Sequence, residues 1–256
     1  MNLKLSIKRN SIFLSLWLAS VVALTIALCT VDKGSLHLLL CDHHTTWADI
    51  LMPILSDTCN WLPYLTGVVL LFWRWQAGVF VSGSLILSTL ITQAIKHTVR
   101  APRPLTWFAE NMPDISLPLT EGVRMNYHLS FPSGHTTTFF CLYFALCALY
   151  TYYIYTPATA NSFWYKLLHK NQPTPSGERK ASIGWSIAVQ LLLFMLAAVS
   201  SYSRLYLSQH FALDVLAGMC IGVVSVAIVA HFYFRRRNPI PNRRTASRSS
   251  SSRTEG

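Results

Sequence analysis

Two histidines, three cations, one carboxylate and a Ser-Gly turn stand at the ends of apolar stretches of this chain. They fall in three segments: Lys96 with Arg103-Pro104, Pro132-Ser133-Gly134-His135, and Ser203-Arg204 with His210 and Asp214. Cations can hold a phosphate group, one imidazole can attack it, and a second can protonate the group that leaves. The residue types therefore predict chemistry on a phosphate ester.

The third segment supplies a histidine with its own carboxylate. His210 and Asp214 are four residues apart and so share one face of a helix. Asp214 can accept a hydrogen bond from one ring nitrogen, which fixes the tautomer and leaves the other nitrogen free to attack. An ionisable pair at a membrane boundary is a functional candidate. Taken alone, the pair is also compatible with an interfacial histidine that merely adds solubility.

The second segment has the composition of an anion-binding turn. Gly134 lets the backbone approach a ligand closely, and Ser133 adds a hydroxyl donor. Free N–H groups at the start of the following helix favour an anion. His135 is then placed to give a proton to a leaving alkoxide. The alternative is an ordinary helix start with Pro132 in its first turn.

The first segment contributes two cations, Lys96 and Arg103, separated by six residues. Both can neutralise phosphate oxygens, and an arginine can do so through two parallel hydrogen bonds. Alone, they are equally compatible with interfacial cations whose stems lie along apolar surface.

The composition indicates an all-α membrane protein. Apolar residues make up 52% and charged residues 12% of the 256 residues, against about 25% charged in soluble domains. Six uncharged stretches predict a bundle of six transmembrane helices, since a spanning helix needs about 20 residues. The stretches are Ser11–Val31, Thr58–Trp73, Trp75–Ile95, Thr136–Tyr165, Ala181–Ser203 and Val215–Phe234. The first is too long for a signal-peptide core and lacks a cleavage pattern, so we expect a retained helix.

The distribution of Lys and Arg predicts the topology. With both termini in the cytoplasm, most of the 21 Lys and Arg residues lie inside, as the positive-inside rule requires. Those left outside are Lys33, Lys96, Arg100, Arg103, Arg124 and Arg204. All three motif segments then lie on the outer face. The net charge of +11 is mostly this topology signal, and nucleic-acid binding is disfavoured because the basic residues form no single folded face.

The chain is expected to hold one phosphatase domain, residues 1–237, followed by a disordered Ser/Arg-rich cytoplasmic tail, residues 238–256. Gly218 and Gly222 form a G-x-x-x-G pattern that favours close packing within the bundle, with dimerisation as the alternative. Cys41 and Cys59 share a predicted outer loop, where a disulfide is possible but not favoured.

The three segments resemble the type-2 phosphatidic acid phosphatase superfamily. Its signatures K-x6-R-P, P-S-G-H and S-R-x5-H-x3-D are complete here, in the same order. The resemblance implies metal-independent hydrolysis of phosphoesters or diphosphates without a cofactor. It implies that His210 is the nucleophile of a phosphohistidine intermediate, oriented by Asp214, and that His135 acts as general acid and then base. The remaining positions, Lys96, Arg103, Ser133, Gly134 and Arg204, would bind the phosphate.

Other functions fit the same residues less well or equally well. A metal site at His135, His210 and Asp214 is disfavoured because three cations would repel the ion. A transporter predicts charges at helix centres rather than helix ends. A haloperoxidase of the same superfamily would be soluble, whereas a lipid phosphotransferase could use the same histidine chemistry.

The substrate class and the membrane complete the sequence-based expectations. We expect a membrane lipid phosphate as substrate: an isoprenyl phosphate or diphosphate, a lipid A phosphate or a glycerolipid phosphate. The absence of eukaryotic retention signals favours a bacterial inner membrane, with the active site facing the periplasm. The residues do not distinguish among the lipids and leave the oligomeric state open.

Overall fold

A computed structural model describes residues 9–155 and 183–237, and every regular element in these ranges is a helix. The helices are α1 (Ser11–Thr30), α2 (Lys33–Cys41), α3 (Thr46–Val99), α4 (Pro104–Asn111), α5 (Gly134–Tyr155), α6 (Ile183–Tyr206) and α7 (Ala212–Arg237). The all-helical fold is thus confirmed for the described residues. The predicted disordered tail, residues 238–256, lies outside them.

Helix α3 is a helical hairpin. Its 54 residues are interrupted at Arg74, where φ is −145° and ψ is 79°. A Cβ atom built on Gly78 would lie 2.5 Å from the backbone nitrogen of Leu71. Residues seven apart in one straight helix are about 10 Å apart along the axis, so this contact requires the chain to fold back on itself. Gly78 is the residue that permits this close approach.

Within the part of the chain that the structure describes, four elements are long and apolar enough to cross a membrane: Ser11–Thr30, Thr46–Asn111, Gly184–Tyr206 and Ala212–Tyr233. The second contains both arms of the α3 hairpin, and α5 is not among the four. Helix α1 directs large apolar side chains such as Leu18 and Ile26 outward, which suits contact with lipid. An integral membrane protein is therefore supported, while six spans and cytoplasmic termini stay predictions.

Helix α5 forms the centre of the bundle and packs against α3, α6 and α7. Its residues Phe139, Phe140, Cys141 and Leu142 are all at most 1% exposed. Because α5 is surrounded on all sides, its first turn is held in place by three neighbouring helices. That turn contains the predicted anion-binding residues.

Two glycines bring α7 into backbone contact with α5. A Cβ atom on Gly218 would lie 2.8 Å from the carbonyl oxygen of Ser133, and one on Gly222 would lie 2.7 Å from that of Thr137. Both distances are shorter than real side chains tolerate, so only glycine allows the two helices to approach this closely. The predicted role of the G-x-x-x-G pattern in packing within the bundle is confirmed.

The cysteines of the described residues are free, including Cys41 and Cys59. The disulfide considered between these two residues is therefore not present in the structure.

The contact between α5 and α7 generates a stability prediction. We expect Gly222→Ala to lower the free energy of unfolding by roughly 1–3 kcal/mol, since overpacking costs about this much. The added methyl group would meet the backbone of Thr137 and Cys141, which cannot move unless the helices separate. Thermal unfolding in detergent provides the measurement.

Gly83→Ala is the matched control for this experiment. A Cβ atom there would have Val229 Cγ1 as its nearest neighbour, at 3.9 Å, an ordinary van der Waals contact. We expect the control to unfold at the wild-type temperature or above it. Equal unfolding temperatures for the two variants would contradict the proposed packing constraint.

Candidate active site

The three motif segments meet at one end of the bundle. The backbone N–H of Ser133 donates to the carbonyl oxygen of Asp214 over 3.0 Å, which joins the second and third segments. The Arg103 guanidinium donates through Nη1 to Gln209 Oε1 over 2.8 Å, which joins the first and third. A Cβ atom on Gly134 would lie 3.8 Å from Lys96 Cε, so the first and second segments are also neighbours.

A short loop between α6 and α7 carries His210. The carbonyl oxygen of Arg204, in the last turn of α6, accepts hydrogen bonds from the N–H groups of Gln209 (3.0 Å) and His210 (3.2 Å). Ser208 adopts a left-handed conformation with φ of 49°. The chain thus turns tightly back onto the helix end, which explains the fixed spacing between Arg204 and His210.

His210 faces Asp214, but their contact is long. The distance from His210 Nδ1 to Asp214 Oδ2 is 3.5 Å, at the outer limit of a hydrogen bond. Ser130 Oγ lies 3.5 Å from the same nitrogen and donates to Asp214 Oδ2 over 2.5 Å. The N–H of Phe211 also donates to Oδ2, over 2.9 Å. These contacts fix the carboxylate beside Nδ1, so Nε2 is the ring nitrogen that is oriented to attack.

The surroundings of His210 favour its neutral form. The residue is 1% exposed. Its burial and the nearby charges of Arg204, Arg103 and Lys96 hold the pKa of His210 well below the ordinary value of 6.5. A neutral imidazole keeps the lone pair that a nucleophile needs.

Two of the cations are held by backbone carbonyl groups of one short segment, residues 127–130. Lys96 Nζ donates to the carbonyl oxygen of Leu129 over 2.8 Å, and Arg103 Nε donates to that of His128 over 3.0 Å. Both side chains are at least nine-tenths buried. Their positive charges are therefore concentrated in an environment where electrostatic interactions are strong.

The third cation, Arg204, retains a free donor. Its Nη1 donates to Ser56 Oγ, while its buried Nε has no hydrogen-bond partner among the described residues. A buried N–H without a partner is rare and costly, and an anion seated beside Arg204 would satisfy it.

The turn before α5 is a helix start capped by the side chain of Ser133. Ser133 is fully buried, and its Oγ accepts hydrogen bonds from the backbone N–H (3.4 Å) and the hydroxyl (3.0 Å) of Thr136. His135 is only partly buried, and the charges of Arg204, Arg103 and Lys96 all act on it. The two histidines therefore share one cluster of cations.

Some residues of this site were missed in the sequence analysis. Ser130 bonds to Asp214, Ser56 to Arg204, and Gln209 to Arg103. Ser130 lies two residues before Pro132, and Gln209 lies directly before His210. Neither the residue type nor the spacing marks either of them as functional. Ser56 lies far away along the chain, so nothing in the sequence connects it with Arg204.

Within the described ranges, no group of three or more His, Cys, Asp or Glu side chains is arranged to hold a metal ion. The chemical groups gathered here are instead a buried histidine with a carboxylate, a second histidine and three cations.

These features define a class: a helical membrane protein with a cluster of buried cations and two histidines at one end of its bundle. The PAP2 superfamily model matches residues 77–238, more than half of the chain, and the chain belongs to this superfamily. A comparison with curated proteins found no significant match.

Two solved structures share the fold. LpxE from Aquifex aeolicus superposes with a TM-score of 0.55 at 17% identity, covering 78% of this chain and 96% of that one. A PAP2-type phosphatidylglycerolphosphate phosphatase from Bacillus subtilis gives a TM-score of 0.52 at 21% identity, covering 88% and 96%. At these identities the likeness concerns the fold.

The environment of His210 generates a titration prediction. Because burial and three cations disfavour the imidazolium, we expect the His210 ring to become protonated only well below the ordinary histidine pKa near 6.5. NMR of protein with isotope-labelled histidine would follow the ring signals, and His210→Gln would assign the signal. A His210 midpoint at or above the ordinary histidine value near 6.5 would contradict the proposed environment.

Proposed function

We propose that the protein is an integral membrane lipid phosphatase that hydrolyses a phosphate monoester or diphosphate through a phosphohistidine intermediate. The observation that carries the proposal is His210, buried against Asp214 and surrounded by Lys96, Arg103 and Arg204. Membership of the PAP2 superfamily supports it, and so does the fold shared with a transmembrane phosphatidylglycerolphosphate phosphatase.

In the first step, the substrate phosphate binds among the three cations, with Ser133 and the N–H of Gly134 as further donors. His210 Nε2 attacks phosphorus, the bond to the leaving oxygen breaks, and His135 gives that oxygen its proton. Phosphoryl transfer depends mainly on positioning and charge neutralisation, and here side chains supply the positive charge. The dianionic phosphate itself favours the protonated form of His135 on binding.

In the second step, His135 takes a proton from water, and the resulting hydroxide attacks phosphorus. The bond to Nε2 breaks, which releases inorganic phosphate and restores neutral His210. Asp214, held by Ser130 and the N–H of Phe211, stabilises the positive charge that the ring carries in the intermediate. No metal ion or cofactor takes part in this scheme.

The proposed substrate is a lipid of the membrane itself, either an isoprenyl phosphate or diphosphate, a lipid A phosphate, or a glycerolipid phosphate. The support is physical, since the site lies at the end of apolar helices where a headgroup of a bilayer lipid would be. One of the two structural neighbours is a phosphatidylglycerolphosphate phosphatase, which is consistent with this class. We place the protein in a bacterial inner membrane with this end facing the periplasm.

The two histidines should respond differently to substitution. We expect His210→Ala to abolish phosphate release from every substrate, because no nucleophile remains. His135→Ala should lower the rate of phosphate release from a lipid alkyl phosphate by about 10²–10⁴-fold, the usual contribution of general acid catalysis. The loss of rate should be distinctly smaller on an activated aryl phosphate, because its leaving group needs less protonation. Phosphate release would be measured on a lipid panel in detergent with a chelator present.

His97→Ala is the control, since this exposed histidine stands one residue after Lys96. Wild-type turnover by His210→Ala would overturn the nucleophile assignment, and equal losses for His135→Ala on both leaving groups would overturn the acid assignment. Activity that chelator removes and one divalent metal restores would contradict the metal-independent scheme. Transfer of phosphate to an added alcohol rather than to water would identify a phosphotransferase.

The proposed orientation is tested by labelling from outside the cell. In a Cys29→Ser background, which removes an exposed native thiol, we expect a cysteine at Asn111 to react with an impermeant thiol reagent in spheroplasts. A cysteine at Trp75, exposed at the other end of the second α3 arm, should react only after the membrane is opened. The reverse pattern would place the site on the cytoplasmic face.

A further inference from the structure

The last turn of α6 and the loop that follows it contact the N-terminal part of the chain through every second residue from Arg204 to Ser208. Arg204 donates to Ser56, Tyr206 donates to Asp49, and Ser208 contacts His37. All three partners precede residue 77, where the match to the superfamily begins. We propose that His37 and Asp49 are positioning residues that set the placement of the His210 loop, an inference that rests on the proposed function of His210.

His37 contacts both sides of the His210 loop. Its Nε2 lies 3.3 Å from Ser208 Oγ, two residues before His210, and its ring packs 5.1 Å from that of Phe211, the residue that follows. Phe211 is also the residue whose N–H donates to Asp214. A displacement of the His37 ring would therefore reach both the nucleophile and its carboxylate.

His37 is buried between aromatic rings. The residue is 1% exposed and packs against Phe108 with ring centroids 5.7 Å apart. Burial lowers the pKa of His37 to about 4, so the ring is neutral at physiological pH. The Lys33 ammonium lies 3.9 Å from the centroid of the Phe211 ring. Helix α2 thus holds the loop from outside without contacting the phosphate-binding side chains.

Asp49 fixes the end of α6 at a second point. Its Oδ1 accepts hydrogen bonds from Tyr206 Oη (2.8 Å), His44 Nδ1 (2.7 Å) and Thr120 Oγ1 (3.2 Å). The same tyrosine oxygen accepts the N–H of Thr45 over 3.3 Å. Tyr206 is 1% exposed and stands between Arg204 and Ser208, so its ring cannot shift without moving both neighbours.

A positioning role differs measurably from a general structural role. A misplacement of about 1 Å can cost 10²-fold in rate, whereas phosphate affinity depends on cations that His37 does not touch. The proposal therefore predicts a loss in kcat with an unchanged inhibition constant for inorganic phosphate.

The principal test is His37→Leu, which removes the polar contact and keeps a similar volume. We expect kcat on an activated aryl phosphate to fall by roughly 10–10²-fold, while the inhibition constant for inorganic phosphate stays at the wild-type value. His37→Gln should restore most of the rate, because its amide nitrogen can reach Ser208 from the position of Nε2. Leu39→Ala, at an exposed position on the same helix, is the matched control and should behave as wild type.

Ser208→Ala removes the other partner of the contact between His37 and Ser208. If His37→Leu does not fold, the kcat and the phosphate inhibition constant of Ser208→Ala test the positioning role instead. The double variant should lose no more than the worse single variant, since both changes remove one interaction. The positioning role would be overturned if His37→Leu and Ser208→Ala left kcat unchanged, or if the inhibition constant for phosphate changed together with kcat. It would also be overturned if the losses in kcat of the two single variants multiplied in the double variant. A wild-type protein that hydrolyses neither lipid nor aryl phosphate would overturn the proposed function, and the positioning role with it.

Discussion

The close contact between α5 and α7 determines the geometry of the whole site. Two glycines allow the helix backbones to touch, and at the end of this contact the Ser133 N–H donates to the Asp214 carbonyl oxygen. The anion-binding turn begins one helix, and the carboxylate that orients His210 begins the other. Their separation is thus set by backbone atoms, which vary far less than side-chain conformations.

The second physical constraint is the burial of positive charge. Three cations lie in one small region, whereas Asp214 is the only carboxylate that the described contacts place beside His210. Desolvating cations without counter-ions is expensive. Carbonyl groups of Leu129 and His128 offset part of this cost, and so does the neutral state of His210. The excess positive charge is the property that makes the site specific for an anion.

The sequence alone predicted those features that depend on residue type and local spacing. The all-helical architecture, the four-residue step from His210 to Asp214, and the packing role of Gly218 and Gly222 all follow from helix periodicity. The α3 hairpin reverses at Arg74, the charged residue that separates the predicted stretches Thr58–Trp73 and Trp75–Ile95.

Contacts between residues far apart along the chain could not be predicted from the sequence. The bond between Arg204 and Ser56 connects residues 148 positions apart, and that between His37 and Ser208 spans 171. Serine and histidine have many roles in a helix, so neither residue type signals a partner at that distance. The serine beside Asp214, Ser130, could have been suspected only from its closeness to the Pro132–His135 segment.

The carbonyl groups that hold Lys96 and Arg103 have a kinetic consequence. If these cations bind the substrate phosphate as proposed, the Leu129 and His128 carbonyl oxygens would compete with it for their N–H groups. This competition would weaken the binding of a lipid headgroup and of inorganic phosphate alike. A lipid substrate would compensate for the weaker binding of its headgroup through its acyl or prenyl chains, whereas free inorganic phosphate has no apolar chain. Built-in competition of this kind would favour rapid turnover over tight product retention.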